Sequence, residues 1–161
     1  MNTGQMLLSI GGFLLLGNLI INVNRANSER MVASYSNEAI INASGLAQSV
    51  IDEIQMKAFD EKTVIASVSN TDSLTNANSL GPETGEIYNT DFDDVDDYKN
   101  YNTVVTLDRM GDFNMSVSVS YVNTLNPSIK SSIPTFSKHI EIKLTNSNIL
   151  DTLTFDQIIA Y

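Results

Sequence analysis

The sequence contains no cysteine, which excludes disulfide bridges, thiolate metal sites and cysteine nucleophiles. Its strands must be held by burial and ladder hydrogen bonds alone. Charge is sparse as well: Asp, Glu, Lys and Arg make up only 17% of 161 residues. Asn, Ser and Thr supply much of the polarity, giving a neutral, hydrogen-bonding surface. Lys and Arg number 9 against 19 Asp and Glu, for a net charge of -10. So few scattered basic residues cannot neutralise phosphates, so nucleic acid is excluded as a partner. The acidity suits the solubility of an exposed domain. The one histidine, His139, falls on the polar side of an alternating segment, so no triad or histidine metal site can be built around it. There is no P-loop, no dinucleotide-binding glycine motif and no spaced metal-ligand pair. The expectation is a protein that is not an enzyme.

Proline is also missing before Pro82, and that long proline-free stretch has a pattern. From Met6 to Val23 (MLLSIGGFLLLGNLIINV) there is no charge. Roughly twenty apolar residues cross a bilayer core, so the run is just long enough. A cleaved secretory signal would need a basic start and a small-x-small cleavage site. Met1-Asn2-Thr3-Gly4-Gln5 has no basic residue and Val23-Asn24-Arg25 is a poor site, so the apolar run is expected to be retained. Helical spacing continues beyond it: Met31, Tyr35, Ala39, Ala43, Leu46, Ala47, Val50, Ile54 and Ala58 recur at steps of three and four. Residues 6–60 as one helix would be about 80 Å long.

Gly11, Gly12 and Gly17 permit close helix approach, while Asn18 and Asn22 share one face where neighbouring helices could meet their amides. These residues favour a bundle of helices over a lone anchor. With Gln5 and Leu15 they mark the expected assembly helix.

After Lys62 the period changes. Thr63–Ser69 is short and β-prone, and the following Asn-, Ser-, Thr- and Gly-rich stretch to Glu86 reads as a loop with a turn at Gly81-Pro82. Asn102–Asp108 reads as a strand. Phe113, Met115, Val117, Val119 and Tyr121 alternate with polar residues, as do Ile140, Ile142 and Leu144, and Leu153–Tyr161 completes the set. Turns fall at Met110-Gly111-Asp112 and Asn126-Pro127. One greasy sheet face needs a cover, and the stripe over residues 31–58 is the available partner. The expected fold is α+β: a long N-terminal helix, apolar in its first half, packed on a small antiparallel head. The expected divisions are 1–27 (apolar core helix), 28–62 (amphipathic stalk) and 63–161 (β-rich head).

A membrane-inserted helix running into a small β head resembles the type IV pilins and the pseudopilins of type II secretion. Leu46–Ile54 followed by Lys57-Ala58-Phe59-Asp60-Glu61 resembles the end of the stalk helix in minor-pilin-like proteins of the mannose-sensitive haemagglutinin pilus type. Phe92-Asp93-Asp94-Val95-Asp96-Asp97-Tyr98 is similar to an acidic segment of those proteins, and Phe113–Tyr121 with His139–Thr145 to their closing sheet. The resemblance implies a homopolymer subunit, held in the inner membrane before assembly and delivered by pilus or secretion machinery into an extracellular filament on a bacterial surface. A pseudopilin or minor pilin is the alternative within the family, and a monomeric membrane-anchored binding protein the alternative outside it. The chain departs from the family in showing no basic leader, and in lacking the usual Glu as fifth mature residue, a place taken by Gln5 if the mature chain starts at Met1 and by Ser9 if it starts after Gly4.

Asp91, Asp93, Asp94, Asp96 and Asp97 are the one dense constellation. Calcium takes six to eight oxygens, which closely spaced carboxylates can supply, and the resemblance implies calcium in the head as well. The other reading is a solvated acidic loop whose aspartates cap turns. No cofactor is expected unless this cluster takes calcium.

Overall fold

The computed structural model describes residues 2–161. Helix α1 runs unbroken from Thr3 to Gln55. No proline or unsatisfied turn interrupts it, and Gly11–Asn18 is helical throughout. The chain divides into two compact units, the first ending at Glu38 and the second comprising Ala39–Tyr161. The boundary lies within α1.

In the first unit α1 buries nothing. Met6, Leu7, Leu8, Phe13, Leu15 and Ile21 are all exposed.

In the second unit a four-stranded antiparallel sheet follows in simple meander order: β1 (Asn102–Leu107), β2 (Gly111–Tyr121), β3 (Ser137–Thr145) and β4 (Leu153–Ala160). Each strand pairs with the next in sequence. The β1–β2 connection turns at Gly111, whose φ of 74° favours glycine. Phe113, Met115, Val117 and Val119 of β2 and Ile140, Ile142 and Leu144 of β3 are buried on one face. Each is worth about 1.5–3 kcal/mol relative to exposure. The register sets Val117 opposite Ile142 and Val119 opposite Ile140.

The helical cover of this face is Ala39, Ala43, Ala47, Ile51 and Ile54. Three alanines at four-residue steps put only methyl groups on the first turns of this cover, with Ile51 and Ile54 beyond them. The stripe is therefore shorter than its apolar periodicity suggests. Met31 and Tyr35 are exposed, whereas Ile51, one step of four beyond Ala47, is buried. Tyr98 closes the flank: its ring meets Phe92 edge-on at 5.0 Å and its hydroxyl donates to Glu53 Oε1 at 2.8 Å.

Residues 63–69 do not form a strand. Asp60 caps a short helix, α2 (Glu61–Ile65), through a capping box with Thr63: the Asp60 carboxylate accepts from Lys62 N, and Thr63 Oγ1 accepts from Asp60 N. Local side-chain bonding of this kind outweighs the weak β preference of Thr-Val-Ile. A second small cluster of Phe59, Leu74, Leu80 and Tyr121 lies beneath the loop that follows.

Candidate functional site

The chemistry of the second unit gathers where three chain segments meet: the end of α1 with the α2 cap, the acidic turn at 91–97, and the start of β3. A parallel bridge aligns the first two, with Ala58 N donating to Asp93 O and Val95 N to Ala58 O, both at 3.0 Å. Lys138 arrives from β3. It occupies the same strand face as Ile140, Ile142 and Leu144, so strand geometry drives its side chain inward. It is fully buried.

There its ammonium donates to Phe59 O at 2.6 Å, to Asp60 Oδ2 at 3.2 Å and to Asp96 Oδ1. It also sits 4.6 Å from the Phe59 ring centroid and 5.2 Å from that of Tyr121. Three acceptors and two π faces satisfy a charge that would otherwise be costly in this setting.

Asp60 is the most heavily bonded acid. Beyond Lys62 N and Lys138, its carboxylate accepts from Thr75 N, from Thr75 Oγ1 at 3.0 Å and from the Tyr121 hydroxyl at 2.7 Å. Burial opposes its charge, but Lys138, Tyr121 and the backbone N–H groups outweigh burial and hold its pKa below the usual value. Burial, then the bond to Asp60, pushes the Tyr121 hydroxyl up.

The aspartates of the acidic turn do separate work. Asp91 Oδ2 accepts from Tyr88 N, and Asp93 is exposed. Asp94 Oδ1 accepts from Asp96 N and Asp97 N, while Asp97 Oδ2 accepts from Asp93 N and Asp94 N, a reciprocal pair that closes the turn. Asp96 pairs with Lys138. The segment is not a solvated loop: Asp94, Asp96 and Asp97 are fully buried. Asp94 Oδ2, Asp96 Oδ2 and Asp97 Oδ1 have no hydrogen-bond partner. Burial, followed by the charge on Asp96, pushes Asp94 up to about 9.

Two groups of carboxylates converge closely enough to share a cation: Glu61 with Asp93 and Asp94, and Glu83 with Glu86 and Asp97. Asp91 and Asp96 belong to neither. Glu61, Glu83 and Glu86 carry no local sequence signal, because loop folding alone brings them to the turn. Glu83 Oε2 is also buried and unpartnered. Burial, the Glu86 carboxyl and the charges of Asp97 and Glu61 push Glu83 up to about 8. Burial and the neighbouring Asp97 raise Glu86 as well.

The expected assembly residues, Gln5, Gly11, Gly12, Leu15, Gly17, Asn18 and Asn22, all lie on α1 in the first unit, and none is buried. The Asn18 amide donates to Leu14 O at 3.1 Å, within its own helix. Nothing lies within 4 Å of where a Cβ would stand at Gly11, Gly12 or Gly17. Helix α1 is long and apolar enough to cross a membrane, and the qualifying window is wholly unburied.

No protein-family model, curated protein or solved structure matches the chain.

His139 remains peripheral. Its Nε2 lies 2.7 Å from Asp156 Oδ1 on the neighbouring strand, on the face away from the core.

Proposed function

We propose that this chain is a structural subunit of an extracellular, type IV pilus-like filament, polymerising through the N-terminal half of α1. The observation that carries the reading is the run from Met6 to Val23, which is helical, uncharged and covered by nothing within the chain. Such a surface is stable only against lipid or other apolar helices. A membrane satisfies it before assembly, and copies of itself afterwards.

Glycines at 11, 12 and 17 favour the second environment, since bare positions let helix backbones approach. The role is mechanical: apolar helices form the filament core and acidic heads face outward.

Electron microscopy of sheared cell-surface fractions tests the reading. Long fibres containing the chain are the expected result. Trace incorporation into another fibre would make it a minor pilin or pseudopilin, and a detergent-soluble monomer would replace polymerisation with anchoring. Gly12→Leu and Leu15→Asp are expected to abolish fibres while leaving the head folded. Normal fibre abundance in both variants would count against the helical bundle.

A further inference from the structure

We propose that Lys138 and Asp96 condense into an intramolecular amide, an isopeptide bond that ties β3 to the acidic turn. The Lys138 ammonium donates to Asp96 Oδ1, and both side chains are buried. The two residues lie 42 apart in sequence, so only the fold brings them together. The ion pair described above is the state before condensation.

Contact between a lysine and a carboxylate is ordinary on a surface. Lys143 meets Glu141 at 2.7 Å with its side chain half exposed. Water solvates both charges there, and the pair stays ionic. At Lys138 water is excluded, and the rings of Phe59 and Tyr121 lie 4.6 and 5.2 Å from the nitrogen. Excluding water narrows the gap between the ion pair and the neutral amine and acid, which one proton moving from Nζ to Asp96 produces. Burial holds Asp96 above its usual pKa even with Lys138 beside it, which favours the same transfer. A free amine against a carboxylic acid is a nucleophile against an electrophile.

Two further carboxyls are placed to move protons. Asp60 Oδ2 lies 3.2 Å from Nζ. Burial opposes its charge, but Lys138, Tyr121 and backbone N–H groups keep it ionised at neutral pH, ready to accept a proton from Nζ. On the other side, Asp94 Oδ2 and Asp96 Oδ2 are both buried without a donor. A proton on Asp94 supplies one: burial, then the charge on Asp96, pushes Asp94 up to about 9. The site thus has a base beside the nucleophile and an acid beside the electrophile.

The reaction balances within these groups. Nζ adds to Asp96 Cγ, the C=O π pair moves onto oxygen beside the Asp94 proton, and one Nζ proton passes to Asp60. The adduct collapses as its C–OH bond breaks, and Asp60 returns the proton to the departing hydroxyl. One C–N bond forms, one C–O bond breaks, one water leaves, and Asp60 and Asp94 end as they began. Phe59 O, which accepts from Nζ at 2.6 Å, can keep the remaining amide N–H. The product gives a cysteine-free head the covalent tie that a disulfide gives others. The reaction is independent of filament assembly.

The test is peptide mass spectrometry of the full chain, purified in detergent, unfolded and digested with trypsin. Peptide 63–99, which carries Asp96, should be joined to peptide 131–143, left uncut at Lys138. The joined mass should fall about 18 Da, one water, below the sum of the two, and fragmentation should place the link at Asp96. Lys138→Met and Asp96→Ala should give no joined peptide. Asp94→Asn and Asp60→Asn should each slow linkage about a hundredfold or more, followed as the joined fraction after pulse labelling of new chains.

Peptide 131–138 at its plain mass, from a parent chain whose head is folded by near-ultraviolet circular dichroism, would overturn the proposal. Joining to peptide 58–62 instead would put the bond at Asp60 and overturn the choice of Asp96. Parental linkage rates in folded Asp94→Asn and Asp60→Asn would overturn their roles as acid and base.

Discussion

The Tyr121 hydroxyl donates to Asp60 Oδ2 across 2.7 Å, joining the end of β2 to the cap of α2. Lys138 approaches the same oxygen at 3.2 Å from the neighbouring strand. One carboxylate thus serves as cap, strand anchor and counterion. Tyr121→Phe keeps the ring and removes one hydrogen bond to a charged group, so it should cost about 1.5–3 kcal/mol. Lys138→Met strips both Asp60 and Asp96 of their cation and should cost about 3–5 kcal/mol. Urea unfolding of the full chain in detergent, followed by near-ultraviolet circular dichroism, gives both values. The order of the two losses is the point to check.

The same site fixes an acid limit for the head. Asp60 has a folded pKa below its ordinary 3.8. A carboxyl with a depressed folded pKa contributes stability that is complete above its unfolded value and lost as pH falls through its folded one. Stability should therefore hold down to about pH 4 on this account and decline below it. In Asp60→Asn the head should be less stable at pH 7, and its loss between about pH 4 and 2 should be shallower. Equal slopes in the two proteins over that window would show that another carboxyl sets the limit.

The helical part of the core cluster begins with three alanines, Ala39, Ala43 and Ala47. Ala43 has no exposed surface and belongs to the core cluster formed with β2 and β3. Ala43→Leu should destabilise the head by about 1–3 kcal/mol through overpacking. Met31→Ala, at an exposed position on the same helix, should stay within about 0.5 kcal/mol of the parent. Denaturant midpoints of the two variants measure the contrast. A larger loss in Met31→Ala would mean that the covering stripe begins further toward the N-terminus.

Assembly without a buried charge has its own signature. Between Met6 and Val23 no group titrates, so in the proposed filament registration between subunits would rest on neutral hydrogen bonds from Gln5, Asn18 and Asn22 and on contact at the glycines. Such bonds average about 0.6 kcal/mol in membranes, which leaves apolar packing as the main cohesion. Fibre yield should then vary little with salt, or with pH between about 5 and 9. Comparing Gln5→Ala with Gln5→Glu decides the role of that position. A silent Gln5→Ala together with a strong gain from Gln5→Glu would make Gln5 a vacated charge site and overturn neutral registration.

The α+β layout was readable from local pattern because periodicity is a local property. The alternation of Phe113 through Tyr121 and of Ile140 through Leu144 gives strands, and the uncharged, proline-free N-terminus gives a helix. The same alternation held one further signal: Lys138 and Tyr121 share parity with the core residues of their strands, and both are buried. The charged tip of Lys138 hides that signal from a reading by hydrophobicity, whereas Tyr121 already belongs to the apolar alternation of its strand.

Other features depended on contacts distant in sequence. The helix stripe begins at Ala39 because the sheet covers only what lies against it, a limit that no periodicity contains. Residues 63–69 turned on the capping reach of Asp60, which outweighed β preference. The acidic turn looked like five equivalent aspartates. Tertiary structure separated them by what each meets: Asp96 a lysine 42 residues later, Asp97 two glutamates from the preceding loop, and Asp93 the solvent. Burial and the position of partner charges decide the chemistry of a carboxylate, and both exist only once the chain has folded.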